Sequence, residues 1–151
     1  MSFKSSLSLS IAACLAAAAP IAANAQFAKA EDAIKYRQSA FALMGAHMNR
    51  IGAVTKGEVP FKAEEVKKSA ALISTLSTLP WEAFGPGTEG GKTKPIAFKE
   101  MDKVKGGADK FMKAAADLDA AAKTGDLNQI KKAFGATGQT CKTCHDSYRD
   151  K

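Results

Sequence analysis

Cysteine and histidine are scarce in this chain, which has three cysteines and two histidines among its 151 residues. Cys141, Cys144 and His145 lie together near the C-terminus. The third cysteine, Cys14, lies far away near the N-terminus. A structural zinc site needs four ligands, and beyond this group the chain offers only His47 and carboxylates. The scarcity of suitable ligands therefore argues against a zinc site.

Long apolar runs and strand-like patterns are also rare. After the first 25 residues no stretch is apolar enough to span a bilayer, so we expect no stable membrane insertion of the mature protein. Alternation of apolar and polar residues is missing on both sides of the cysteine pair. This argues against a dithiol oxidoreductase, whose pair follows a strand. The length allows one domain with a sizeable core.

The first 25 residues have the organisation of a secretory signal peptide. Lys4 gives a positive start, residues 7–22 are apolar and rich in alanine, and residues 23–25 (Ala-Asn-Ala) form a small-x-small cleavage site. We therefore expect the mature domain, residues 26–151, in the periplasm. The alternative is a lipobox that ends at Cys14, but the long apolar run after Cys14 disfavours lipidation.

The formal net charge is +7, from 22 basic and 15 acidic residues. Such a surface would attract an acidic redox partner or an anionic membrane surface. Lysines scattered for solubility alone would give the same total. No feature of the sequence points to a nucleic acid, and we expect none as a partner.

The C-terminal motif Cys-x-x-Cys-His, at residues 141–145, predicts covalent attachment of a c-type haem. Two thiols three residues apart lie on one face of a helix, where both can add to the vinyl groups of one porphyrin. The next side chain, His145, would bind the haem iron. Since Cys14 falls in the predicted signal peptide, the mature chain has no further cysteine for a disulfide.

Four stretches carry apolar residues at alternating spacings of three and four, which is the pattern of amphipathic helices in a bundle. They are residues 31–55, residues 63–79, residues 96–122 and a last stretch from about residue 127. Short breaks between the first two and the last two predict antiparallel neighbours. The sequence therefore predicts an all-α fold, an antiparallel up-down-up-down four-helix bundle with covalently bound haem.

The last helix is predicted to place the haem inside this bundle. Asp126 followed by Gln129 forms a capping box at its start. One stripe then continues into the motif, through Leu127, Ile130, Phe134, Thr137, Cys141, Cys144 and Tyr148. A haem on this stripe would replace core side chains, and Gly135 and Gly138 would leave it room.

The longest irregular stretch runs from Pro80 to Pro95. Trp81 and Phe84 predict that its first half packs on the core, whereas residues 88–94 have the composition of an exposed loop. Long loops in compact domains are commonly functional. We expect the aromatic half to cover part of the core, with ordinary loop packing as the alternative.

The first helix carries one charged residue on its core stripe, Arg37. A buried guanidinium needs an anion, and a haem propionate would be a suitable one. The alternative is that Arg37 extends to the surface. His47 lies off the stripe and is interpreted as a surface or interhelical histidine. Met44 and Met48 lie on it, where methionine is more often packing than an iron ligand.

The sequence resembles the cytochrome c′ family over residues 26–151. The matching segments are residues 26–29 (QFAK), 36–40 (YRQSA), 79–91 (LPWEAFGPGTEGG) and 141–149 (CKTCHDSYR). The resemblance implies one covalently bound haem c per chain and a five-coordinate iron held by His145. It also implies an apolar side chain over the opposite, distal face of the haem. The matching position is Phe41, where the family commonly has leucine.

The resemblance further places Arg149 in the proximal pocket, one turn after His145, where its charge would influence the bond to iron. The alternative is a cation that complements the dipole at the helix end. Relatives often form dimers through the first two helices, so we expect a homodimer.

Two functions from different classes follow. The first is a non-enzymatic haem protein that binds small diatomic gases, NO or CO, with a role in nitric oxide trapping or tolerance and with electron transfer to an unidentified redox partner. The second is a six-coordinate electron carrier with Met44 as sixth ligand. A haem-free dithiol enzyme is a third and weaker hypothesis.

Overall fold

A computed structural model describes residues 27–151, and within this range every regular element is helical. The predicted signal peptide and the lipobox at Cys14 lie outside the described residues. The helices are α1 (Ala30–Thr55), α2 (Ala63–Leu76), a 3-10 turn (Pro80–Ala83), α3 (Ile96–Lys99), α4 (Met101–Thr124) and α5 (Leu127–Tyr148). The four long helices are the predicted bundle elements.

The four long helices pack in a closed ring, α1 on α2, α2 on α4, α4 on α5 and α5 back on α1. The predicted all-α four-helix bundle is confirmed. Its tightest core consists of eight fully buried apolar residues: Ile51, Val66, Ala70, Ile73, Ala115, Leu118, Ala122 and Ile130. These come from the last turns of α1 and α4, from α2 and from the first turn of α5. This tightly packed apolar core therefore lies at the end of the bundle away from the cysteines.

The second helix is shorter than predicted, and its buried face differs. It ends at Leu76 because the hydroxyls of Ser77 and Thr78 donate to carbonyls of the preceding turn, at 2.7 and 2.9 Å. Such local bonds compete with helix continuation. The buried face includes Val66 and Ile73, whereas Leu72 is 36% exposed.

The third predicted helix, residues 96–122, is two helices in the structure. The chain breaks at Glu100, with φ −115° and ψ 38°, and its carbonyl accepts the first bonds of α4 from Lys103 N and Val104 N. The Glu100 carboxylate accepts a 2.8 Å hydrogen bond from the hydroxyl of Tyr148 on α5. The predicted buried stripe of α4 is confirmed by Val104, Ala108, Phe111, Ala115, Leu118 and Ala122.

The start of α5 confirms the predicted cap. The Asp126 carboxylate accepts from the backbone N–H groups of Asn128 and Gln129, at 2.8 and 3.3 Å. The Gln129 amide donates to the Asp126 side chain at 3.1 Å rather than accepting from its backbone, so the box is closed between side chains. Farther along, fully buried Thr137 donates to the Ala133 carbonyl and lies within bonding distance of Ala114 on α4.

Candidate cofactor site

The two cysteines lie on the inward side of the last turns of α5, half-buried and unpaired. Burial raises the pKa of the Cys141 thiol and of the Cys144 thiol. A dithiol oxidoreductase needs a thiolate of lowered pKa. The environment of this pair therefore disfavours the dithiol hypothesis and leaves two neutral thiols facing the bundle.

His145 follows on the same turn, with its imidazole on the exposed side of α5. Burial of part of the ring and the nearby charge of Arg149 lower its pKa, against a smaller opposite effect of Asp146. The neutral imidazole is the form that binds metals. His145 is thus kept in a state suited to an axial ligand.

Arg149 was predicted to lie one helical turn after His145, but the helix ends just before it. α5 ends at Tyr148, and Arg149 is extended, with φ −116° and ψ 131°. Its backbone N–H still donates to the His145 carbonyl at 3.1 Å. The effect of its charge on the pKa of His145 shows that the side chain lies within electrostatic reach of the imidazole.

An aromatic cluster occupies the space between α1, the 3-10 turn, α3 and α4. It consists of Phe41, Trp81, Phe84, Phe98 and Phe111, joined by ring contacts of 5.8 to 6.4 Å. The indole N–H of Trp81 donates to the Ser77 carbonyl at 2.6 Å. The predicted packing of the first half of the long loop on the core is confirmed, and Phe41 lies within that aromatic surface.

Arg37 is 1% exposed, so the alternative that it extends to the surface is wrong. Its Nη1 donates to the carbonyls of Ala83 and Thr88 at 2.7 and 2.8 Å, and its Nη2 donates to the Gly90 carbonyl at 3.0 Å. The guanidinium also lies 4.8 Å from the ring centre of Phe84. Backbone carbonyls of the loop, rather than an anion, are the partners that the structure gives it.

Three of the five N–H groups of Arg37 are thus directed at the loop, and Nε–H and one Nη2–H remain. Burial lowers the pKa of Arg37, and the charge of Glu89 partly offsets this. Binding of a haem propionate by Arg37 stays a prediction, and it depends on the two remaining N–H donors.

The far end of the long loop pairs with the end of α5. The sequence did not predict this contact. Thr93 and Arg149 form an isolated antiparallel bridge. Lys94 N donates to the Tyr148 carbonyl and Asp150 N donates to the Lys92 carbonyl, both at 2.9 Å. A pairing of so few residues leaves no periodic pattern, so no sequence signal could have shown it.

His47 lies between α1 and α2, as predicted for an interhelical histidine. Its Nδ1 is 3.3 Å from the Ser69 hydroxyl. Burial and the charges of Arg50 and Lys68 lower its pKa. Met44, the alternative iron ligand, is 4% exposed on the core stripe of α1.

The glycines of α5 are compatible with a large group beside the helix. A Cβ added at Gly135 or Gly138 would meet no atom within 4 Å. At Gly52 of α1, by contrast, it would lie 3.2 Å from the Phe134 ring, at the tightly packed end of the bundle. Two half-buried, unpaired thiols three residues apart, followed directly by a histidine of lowered pKa, fit the covalent attachment and ligation of a haem.

Comparison with known proteins gives consistent matches over most of the chain. The family described as Cytochrome C′ matches residues 32–149. Cytochrome c′ of Alcaligenes xylosoxydans xylosoxydans is 48% identical over 126 residues, covering 83% of this chain and 99% of that protein. Cytochrome c′ of Rubrivivax gelatinosus is 50% identical over 129 residues, covering 83% of this chain and all of that protein.

Solved structures agree with the sequence matches. The crystal structure of the Rubrivivax gelatinosus protein superposes with a TM-score of 0.80 at 49% identity, covering 83% of this chain and 100% of that one. A nitric oxide complex of a leucine-to-alanine variant of the Alcaligenes xylosoxidans protein gives 0.80 at 47% identity, with 83% and 99% covered. Among the helices of residues 27–151, none has the length and apolar character needed to cross a membrane.

Proposed function

Because the chain belongs to the cytochrome c′ family and carries covalently bound haem c, we propose that it is a periplasmic protein whose five-coordinate iron binds NO or CO. We infer a role in nitric oxide trapping or tolerance, together with electron exchange with a redox partner. We do not expect the protein to be an enzyme. The nitric oxide complex of the Alcaligenes xylosoxidans relative supports the choice of ligand.

The observation that carries this proposal is the aromatic cluster around Phe41. Its only polar side-chain group is the indole N–H of Trp81, which is already bonded to the Ser77 carbonyl. The five rings themselves therefore offer no free hydrogen-bond donor to a bound gas, and the guanidinium of Arg37, 4.8 Å from the Phe84 ring centre, directs three of its five N–H groups at loop carbonyls. Bound oxygen is polarised and gains stability from such a donor, whereas NO and CO need none.

Each residue of the site has a distinct role in this proposal. The haem supplies an iron with one axial position for a gas. Cys141 and Cys144 hold it by thioether bonds, and His145, neutral because of its lowered pKa, binds the iron on the proximal side. Phe41 limits access on the distal side.

The two arginines would act at the edge and on the proximal side of the haem. Arg37 keeps two N–H groups free of the loop, which are available to a propionate. Arg149 places a positive charge near His145 and so weakens its basicity. A less basic imidazole would hold a haem iron less firmly.

A second candidate is the six-coordinate electron carrier with Met44 as sixth ligand. The observation in its favour is the burial of Met44, 4% exposed and three residues beyond Phe41 on the same stripe. Burial alone is equally expected of a packing methionine. We therefore place this function second.

We also propose that the protein is a homodimer through α1 and α2. Large apolar side chains stay exposed on and between these helices, with Leu43 at 52%, Val59 at 45% and Phe61 at 37%. Such a patch is typical of a protein contact. Sedimentation velocity that shows only monomer at micromolar concentration would contradict it.

The test of the main proposal mixes ferrous holoprotein, matured in cells that attach haem c, with NO, CO and O2 in a stopped-flow spectrometer. We expect spectral changes and saturable binding with NO and CO, and no stable complex with O2. Failure to bind NO and CO would contradict the proposal.

A further inference from the structure

We propose that Arg37 is a positioning residue that acts on both faces of the haem site through the loop of residues 83–94. This inference rests on the proposed function, which makes Phe41 the distal and His145 the proximal residue. The loop connects these two residues. One of its ends is bound by α1, which carries Phe41. Its other end pairs with the end of α5, shortly after His145.

The first connection is the set of bonds around the Arg37 guanidinium. It holds the carbonyls of Ala83, Thr88 and Gly90, which are spread over eight residues of loop. Thr88 reinforces it, since its hydroxyl lies 2.7 Å from the Gly85 carbonyl and 3.1 Å from that of Ala83. Without Arg37 the half-buried carbonyls of Thr88 and Gly90 would lose this donor, and the buried Ala83 carbonyl would keep only the Thr88 hydroxyl, which weakens the hold on the loop.

The same loop determines the position of Phe41. The Phe41 ring meets Trp81 edge-on at 5.8 Å and Phe84 at 6.4 Å. The guanidinium of Arg37 covers the Phe84 ring at 4.8 Å. A loop released from Arg37 would therefore no longer press Phe84 and Trp81 against Phe41.

The second connection, between the loop and the end of α5, begins two residues after Gly90. Gly90 accepts from Arg37, and Lys92, Thr93 and Lys94 already pair with residues 148–150. Between them, Gly91 adopts φ +63° and lies against α1, where an added Cβ would be 3.1 Å from the Ile34 side chain. Since Gly90 and Lys94 are only four positions apart, we expect a displacement at Gly90 to reach Lys94.

The end of α5 is in turn held by hydrogen bonds to the loop and to the start of α4. The Lys94 N–H binds the Tyr148 carbonyl, and the Tyr148 hydroxyl binds Glu100 at the start of α4. These bonds restrain the turn that carries His145. A contiguous series of bonds thus joins Arg37 to the proximal ligand, and its coupling is measurable.

The experiment compares Arg37→Gln with Lys35→Gln, which removes the same charge from an exposed site on the same helix. Amide hydrogen exchange is measured on the holoproteins at Lys94 and Asp150, the donors of the distant bridge. We expect exchange at these amides to rise about tenfold or more in Arg37→Gln, and to stay unchanged in Lys35→Gln. The iron–histidine stretching frequency should shift in Arg37→Gln alone.

Two outcomes would overturn the inference. One is unchanged exchange at Lys94 and Asp150 in Arg37→Gln, which would show that the two ends of the loop are independent. The other is an equal rise at the core amides of Ala115 and Leu118, which would show a general loss of stability. Thr88→Val, which removes the supporting hydroxyl and leaves the guanidinium in place, tests the same path in a milder variant.

The exchange readout does not depend on the coordination number of the iron. If the wild-type iron is six-coordinate, the proposed function fails while the exchange result still decides on the loop. If the iron is five-coordinate and exchange is unchanged, the loop inference alone fails.

Discussion

Phe41 on the first helix meets Trp81 edge-on, with ring centroids 5.8 Å apart and an interplanar angle of 74°. Trp81 is itself fixed by its bond to the Ser77 carbonyl and by stacking on Phe84 at 6.0 Å. Edge-to-face pairs contribute roughly 0.5–1.5 kcal/mol beyond the area they bury. The ring of Phe41 is therefore held in one orientation, in which it would limit access on the proposed distal side of the haem.

Replacing Phe41 with leucine should widen this access. We expect the association rates of CO and NO to rise by about tenfold or more, since a barrier lower by about 1.4 kcal/mol has that effect. The measurement is stopped-flow binding to ferrous holoprotein. Phe27→Leu, outside the cluster, is the matched control. Equal rates in wild type and Phe41→Leu would show that Phe41 does not limit access.

Replacing Met44 with leucine tests the second function. Leucine has a similar volume, so stability should change by less than about 1.5 kcal/mol. With five-coordinate iron the visible and resonance Raman spectra should be unchanged. A variant that gains high-spin iron where the wild type is low-spin would identify Met44 as the sixth ligand.

Replacing Gly91 with alanine should destabilise the loop more than the same change at Gly87. Both glycines have positive φ, +63° and +81°, but only at Gly91 would the new Cβ also crowd a neighbour, lying 3.1 Å from the Ile34 side chain and displacing the end of the exposed Gln38 side chain. A strained backbone position costs about 1–3 kcal/mol, and we expect Gly91→Ala at the upper end of that range. Urea unfolding of the two variants measures the difference. Equal losses would mean that the loop does not approach α1 as described.

The lowered pKa of His47 predicts a pH-dependent stability. Its folded-state pKa lies below the unfolded value of about 6.5, so the unfolded chain binds the proton first as pH falls. The free energy of unfolding should therefore decrease as pH drops through that value and level off below the folded-state pKa. Since the other histidine is proposed to be held by iron, His47→Gln should lack this component.

The measurement is urea unfolding of wild type and His47→Gln holoprotein between pH 8 and 5. The difference between the two curves removes the contribution of carboxylates, which titrate in both. A constant difference over this range would show that His47 has the same pKa in both states.

The sequence predicted those features that depend on local pattern. The first helix was expected from residue 31 and begins at Ala30, because its apolar spacing is regular. The Asp126 cap was visible because capping depends on residue types three positions apart. The stripe of α5 places Cys141 and Cys144 facing inward, which is where the structure has them.

What was missed depends on contacts between distant residues. The break at Glu100 is stabilised by Tyr148, 48 positions later, and the apolar period runs through it without interruption. The partners of Arg37 are backbone carbonyls, which any residue type supplies, so no residue pattern could favour them over a propionate. Periodicity shows which residues are inside but not which backbone groups meet them.

The most direct test of the account is the resonance Raman and optical spectrum of the purified holoprotein, ferric and ferrous, before and after NO. The account predicts high-spin five-coordinate iron bound to His145 that takes up NO in the ferrous state. Low-spin six-coordinate iron in both oxidation states, without reaction with NO, would contradict it and would leave an electron carrier.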